Sequence, residues 1–144
     1  MRQVVRAPRP RVYAAYTDPA VLPKWMGIRA IVDASGPLDR AGTTFREVVF
    51  RSGPYRPRSE VLAAHPPDLH DMAGRSFFGL GYRWVAHFAD RDGGTEVTLE
   101  SEVILPGLIG RVLRALVVGD GTERRMQRRL ATFAALVEGA PSVA

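Results

Sequence analysis

The chain has no cysteine among its 144 residues, which removes disulfides, thiolate metal sites and cysteine nucleophiles in one step. Lysine is almost missing too: Lys24 stands alone, and arginine supplies nearly all of the positive charge. No apolar run approaches the ~18 residues that a membrane-crossing helix requires. The opening MRQVVRAPRP lacks the apolar core of a signal peptide, so a cytoplasmic protein is expected. Histidine is scarce, and His65 and His70 are divided by Pro66 and Pro67 and share no helix face. Even with Asp68 and Asp71 nearby they lack the spacing of a metal pair, so neither metal nor cofactor is expected. His87 alternates away from its aromatic neighbours, and all three histidines are expected at the surface. No serine occupies a nucleophile elbow. Gly79 and Gly81, like Gly119 and Gly121, lack the lysine and the strand–loop–helix setting of a phosphate loop. Nucleophilic hydrolysis and nucleotide chemistry are therefore set aside.

What is present is ordinary for a globular chain: 46% hydrophobic and 24% charged residues. The length suits one domain over residues 1–144, with a single core. A net charge of +5 and a pI near 10.4 raise the question of a nucleic-acid partner. The distribution argues against one, since arginines are spread over both halves of the chain. Their one dense cluster (Arg124, Arg125, Arg128 and Arg129) falls on one stripe of a helix, with no interleaved aromatics for base stacking.

Near the N-terminus, Gln3 to Ala7 reads as a short strand. Val12, Tyr13 and Tyr16 then follow at helical spacing, and Asp18-Pro19 suits the cap and first position of a second helix that includes Trp25. Ile28 to Ala34 reads as a strand closed by Ser35-Gly36-Pro37, and Thr43 to Arg51 as another. A fourth strand runs from Arg56 to Ala64. A weakly apolar fifth, Leu69 to Arg75, is expected at a sheet edge. Tyr82, Trp84, Ala86 and Phe88 alternate with Arg83, Val85 and His87. Val97, Leu99, Ser101 and Val103 alternate in the same way, and ADRDGG joins the two runs as a hairpin. Period-two alternation marks an antiparallel sheet with one buried face.

From Pro106 the period becomes helical. Ile109, Val112, Leu113, Leu116, Met126, Leu130, Phe133, Ala134 and Val137 form one apolar stripe. Gly119 and Gly121 interrupt it, at a cost of about 2 kcal/mol in helix propensity. The reading is a short helix over 107–118 that bends or restarts at Asp120, with Glu123 completing a capping box. The fold class is thus α+β: two short helices after the first strand, six or seven antiparallel strands, and a long terminal helix whose stripe lies across the concave sheet face.

This order resembles the START-like, or SRPBCC, superfamily with its helix-grip fold. The matching pieces are VYAAYTDPAVLPKWM (12–26), AGTTFR (41–46), EVLAAHPP (60–67), YRWVAHF (82–88), GTEVTLESEV (94–103) and the closing helix. The polyketide cyclase/dehydratase-like branch is the most similar. The resemblance implies a cavity between the terminal helix and the curved sheet that takes a lipid- or polyketide-like molecule, and it carries no shared catalytic motif.

In that frame the candidate ligand-binding residues are Tyr82, Trp84, Phe88, Val97, Leu99, Leu116, Met126 and Leu130. The same side chains would equally fill a packed core. Trp25 closes one end of the grip or packs under the helix. Glu47 and Arg58 are the candidates for chemistry, because a carboxylate in an apolar cavity has a raised pKa and serves as a general acid or base. Register decides whether they enter. If Phe45 and Val49 point inward so does Glu47, whereas Val48 and Phe50 define the opposite face equally well. Charges on these strands, Asp71 and Arg75 included, are expected to face solvent. The expected function is binding of a small hydrophobic or aromatic molecule, by a monomer or homodimer. A polyketide cyclase, aromatase or dehydratase is the alternative, and a protein-interaction module like the co-chaperone activator domains is the third reading.

Overall fold

The alternating apolar residues build the sheet. In the computed structural model, which describes residues 1–49, 56–75, 81–104, 107, 110 and 120–139, seven strands lie in one antiparallel sheet. They are β1 (Arg2–Val5), β2 (Ala30–Val32), β3 (Thr44–Val48), β4 (Arg58–His65), β5 (Leu69–Arg75), β6 (Gly81–Arg91) and β7 (Gly94–Ile104). The order is β1-β7-β6-β5-β4-β3-β2. Strands β2 to β7 form a meander, and β1 adds itself beside β7 with Val5 opposite Thr95. Helices α1 (Arg9–Tyr16) and α2 (Leu22–Met26) carry the chain from the β1 edge to the β2 edge. The sheet curls into a half-barrel, and α3 (Asp120–Gly139) completes the helix grip.

The stripe on α3 explains its placement. Met126, Leu130, Phe133, Ala134 and Val137 are buried, together with Val5, Val12, Tyr16, Leu22 and Trp25 from the opening segment and Val97 and Leu99 from β7. Each fully buried Leu, Val or Phe contributes about 1.5–3 kcal/mol relative to exposure. Polar contacts fix the direction of α3. Glu138 accepts the Arg6 backbone N–H at 2.8 Å, Arg11 donates to the Val137 carbonyl at 3.0 Å, and Gln127 donates to the Arg2 carbonyl at 3.0 Å. The last contact engages part of the free edge of β1, a position where exposed backbone groups invite unwanted pairing.

Several sequence expectations are corrected. Helix α2 begins at Leu22 and not at Pro19, because a helix from Pro19 would bring the ring of Pro23, which has no N–H, against the Pro19 carbonyl. Asp18 instead closes a turn, its side chain accepting from the Ala20 N–H at 2.7 Å and its carbonyl accepting from Leu22 at 2.9 Å. Strand β2 ends at Val32 because Asp33 has a φ of 53°, a left-handed conformation that breaks the ladder. Strand β5 is the central strand of the sheet, paired on both sides, and not an edge. Its low apolarity reflects its particular residues: His70 is buried, Gly74 is buried, and Asp71 is covered and paired with Arg83. The strand expected over Thr43 to Arg51 is observed as Thr44–Val48, its far end lying outside the described residues, as does the short helix expected over 107–118 except for residues 107 and 110.

Gly94 shows how tightly β1 sits on β7. A Cβ built there would lie 2.1 Å from the Val5 carbonyl oxygen and 2.9 Å from its carbon, so backbone would have to move. Gly94→Ala is expected to destabilise the fold by about 1–3 kcal/mol through this overpacking, measured by chemical denaturation. The Gly93→Ala control introduces no clash, since nothing lies within 4 Å of a Cβ at Gly93, and loses only what its φ of 80° costs.

Candidate functional site

Cross-strand register sets one inner row of the sheet: Phe45, Ser59, Gly74, Tyr82 and Val103 lie opposite one another on β3, β4, β5, β6 and β7. Gly74 is the gap in that row. A Cβ built on it would lie 2.4 Å from the Tyr82 ring. The missing side chain is therefore what lets Tyr82 lie across β5 toward β4 and β3.

There the Tyr82 hydroxyl donates to Glu47 Oε1. The Ser59 hydroxyl also donates to that oxygen, at 2.8 Å, and stands 2.8 Å from the Tyr82 hydroxyl. Glu47 is 4% exposed. It forms no ion pair among the described residues. Burial raises its carboxyl pKa above the usual range, and the hydrogen bonds from Tyr82 and Ser59 oppose that rise. The result is a carboxyl group that can exchange a proton, bracketed by two hydroxyls that donate or accept.

An aromatic wall leads away from this trio. The Tyr82 and Trp84 ring centroids are 5.5 Å apart, and Trp84 and Trp25 are 6.2 Å apart. Trp25 continues to Tyr16 at 5.2 Å and Phe133 at 5.4 Å, which places it under α3. Tyr82 and Trp84 are half-buried, while Trp25 is wholly enclosed.

The expected site residues thus divide. Glu47, Tyr82 and Trp84 come together, and the inward register holds for Phe45 and Glu47 with Arg46 exposed, which corrects the expectation that Glu47 faces solvent. Arg58 does not join them. On β4 Ser59 and Val61 point inward, so Arg58 lies exposed on the outer face, with the sheet between it and Glu47. Phe88, Val97, Leu99, Met126 and Leu130 are all buried within the packed core. Leu116 lies outside the described residues.

Two further charged or titratable groups depart from expectation. Asp71 is paired with a diagonal neighbour on β6, accepting from Arg83 at 2.6 and 3.0 Å in a two-point pair. His70, expected at the surface, is 1% exposed and packs its ring against Tyr13 and Tyr16. Burial pushes its pKa down, so the neutral ring donates from Nε2 to the Leu38 carbonyl at 2.8 Å. Ser59 and Gly74 were not singled out by sequence. Ser59 shares the phase of Val61 on β4, which was the available signal; for Gly74 there was none.

With the geometry in place, comparison with known proteins is decisive for family. Residues 1–138 match the family described as polyketide cyclase / dehydrase and lipid transport. The chain belongs to this family. Its members share the SRPBCC superfamily's helix-grip architecture, a fold suited to hydrophobic ligands. Among solved structures it is similar to protein CV1439 from Chromobacterium violaceum, with 22% identity, a TM-score of 0.68, and coverage of 96% of this chain and 94% of that one. It is similar to Ara h 8.0201 at 13% identity and a TM-score of 0.68, covering 96% and 93% of the two chains. It also resembles DynU16, a putative protein in the dynemicin biosynthetic locus, at 22% identity and a TM-score of 0.65. That match covers 99% of this chain and 48% of that one. These likenesses are of fold. No curated protein matches the chain. Among the described residues, no helix is long and apolar enough to cross a membrane.

The buried carboxyl makes a pH-dependent prediction. Because the folded state raises the pKa of Glu47, the wild-type protein loses stability as pH climbs from about 4.5 through the folded pKa. Glu47→Gln keeps an acceptor for Ser59 and Tyr82 without the charge. Denaturation at pH 4 and pH 8 should therefore show the variant gaining on wild type as pH rises, whereas parallel profiles would mean that the carboxyl titrates normally.

Proposed function

We propose that the protein binds a small apolar molecule carrying a carbonyl or hydroxyl group between α3 and the inner face of the sheet. Tyr82 and Trp84 offer the aromatic surface, and the Glu47–Ser59–Tyr82 trio offers the polar anchor that fixes orientation. The observation that carries this reading is the Gly74 gap, which delivers a tyrosine hydroxyl to a buried carboxyl at the end of an aromatic wall. Apolar sites with a few convergent polar groups are the usual form of a small-molecule site. The family description, with its lipid transport and polyketide chemistry, supports the same ligand class. A single domain spanning residues 1–144 suffices for this, as a monomer or as each half of a homodimer.

A second reading, a cyclase or dehydratase acting on a polyketide-like chain, is favoured by the state of Glu47. In the carboxylate form it would accept a proton from carbon next to a substrate carbonyl, while the Tyr82 hydroxyl donates a hydrogen bond to that carbonyl oxygen. Returning the proton to a leaving hydroxyl would complete a dehydration, with water as the product.

Uptake of a hydrophobic fluorophore tests the binding reading. Trp84→Ala is expected to weaken uptake about tenfold while circular dichroism shows the fold intact, since it removes a large aromatic surface. Undiminished uptake would dismiss Trp84 as a wall of the site. Native mass spectrometry of protein from its own host would identify the co-purified ligand. With a substrate in hand, Glu47→Gln should retain binding and lose turnover if the second reading holds.

A further inference from the structure

The outer face of the sheet carries an arrangement that the inner site does not use. At one end of the strands, Arg46, Arg58 and Arg75 lie directly opposite one another across β3, β4 and β5, and Arg75 continues to Gly81 and Ile104 on β6 and β7. Like charges directly opposite on neighbouring strands are destabilising. Arg46 is relieved by Asp33 at 4.0 Å, but Arg58 and Arg75 form no ion pair among the described residues. Folding alone gives no reason to oppose them.

These two arginines border a hollow of about 670 Å³, within the range of small-molecule sites. Its outward-facing floor positions are the small residues Ala73 and Gly81, so the sheet surface sinks between taller neighbours. Leu62 and Ile104 line it as well, and they are 45% and 48% exposed. Leu62 is the extra residue of a β-bulge between Val61 and Ala63, a device that re-aims a side chain. Glu60 also borders the hollow, leaving two cations against one anion. Ser59 and Tyr82 touch it from within the sheet, although their hydroxyls meet Glu47 on the inner side.

We propose that this hollow binds a free amphiphilic anion, an alkyl chain ending in a carboxylate. The head would bridge Arg58 and Arg75, where charge-assisted hydrogen bonds relieve the repulsion. The chain would cross Gly81 toward Ile104, a distance of about two interstrand spacings of roughly 4.8 Å from Arg75. The net charge of +5 favours the approach of an anion from solution.

The test is a titration with decanoate below its micelle concentration, followed by amide chemical shifts. Shifts at Ala73 and Gly81 are expected, and Arg58→Gln/Arg75→Gln should weaken the affinity tenfold or more. Both arginines are exposed, so the double variant should keep its fold and its fluorophore uptake. Trp84→Ala should weaken inner uptake yet retain the decanoate shifts, which separates this site from the inner one. Equal affinity in the double variant would overturn the proposal. So would equal shifts at Ala73 and Gly81 with uncharged decanol, equal affinity for inorganic phosphate alone, or attachment only to anionic vesicles.

Discussion

A curled antiparallel sheet has one concave apolar face that water must not reach, and the structure depends on how α3 covers it. Leu130 and Phe133 reach down from the helix while Tyr16 and Trp25 reach up from the opening helices, with Leu99 and Val97 beneath them. The contact is therefore three-layered. The helix does not rest on the sheet alone; at this end it rests on the opening helices as well. Removing a large side chain here would leave a void that the curved sheet cannot easily close, since such cores relax only partly.

The filled end has a counterpart. Beyond Trp25 the inner face changes from fully enclosed aromatics to half-buried Trp84 and Tyr82, and then to Glu47 and Ser59. Polarity rises along the grip while burial persists: apolar side chains such as Leu99 and Phe133 fill one end, and the Glu47 carboxyl lies buried with Ser59 at the other. Gly74 links the two demands. It forgoes a side chain near the end of the central strand, where glycine weakens pairing, and in exchange Tyr82 reaches across β5 and β4 to Glu47 on β3.

Much of the fold was legible because the pattern was local. Strands β6 and β7 announce themselves by strict alternation, and the stripe of α3 by its helical period, since each is a direct consequence of one buried face. Strand β5 was legible in extent but not in place. Its residues look peripheral because their partners, Arg83 for Asp71 and Leu38 for His70, are supplied by distant segments. The inner facing of Glu47 was undecidable from residues 45–50, where apolar side chains occupy both phases; pairing of Phe45 with Ser59 settles it. The Tyr82 contact is farther still from the sequence, because it depends on an absent Cβ opposite it.

The position of β1 has a consequence for how the chain reaches this structure. Its partner lies roughly ninety residues downstream, Val5 meeting Thr95, whereas every other pairing in the sheet joins strands consecutive in sequence. Closing so long a loop costs entropy that no local contact offsets. The meander can form as the chain is synthesised, but β1 must wait for β7. Until then Val5 lacks the neighbour that covers it in the finished sheet, so β1 takes its native place only once β7 has been made.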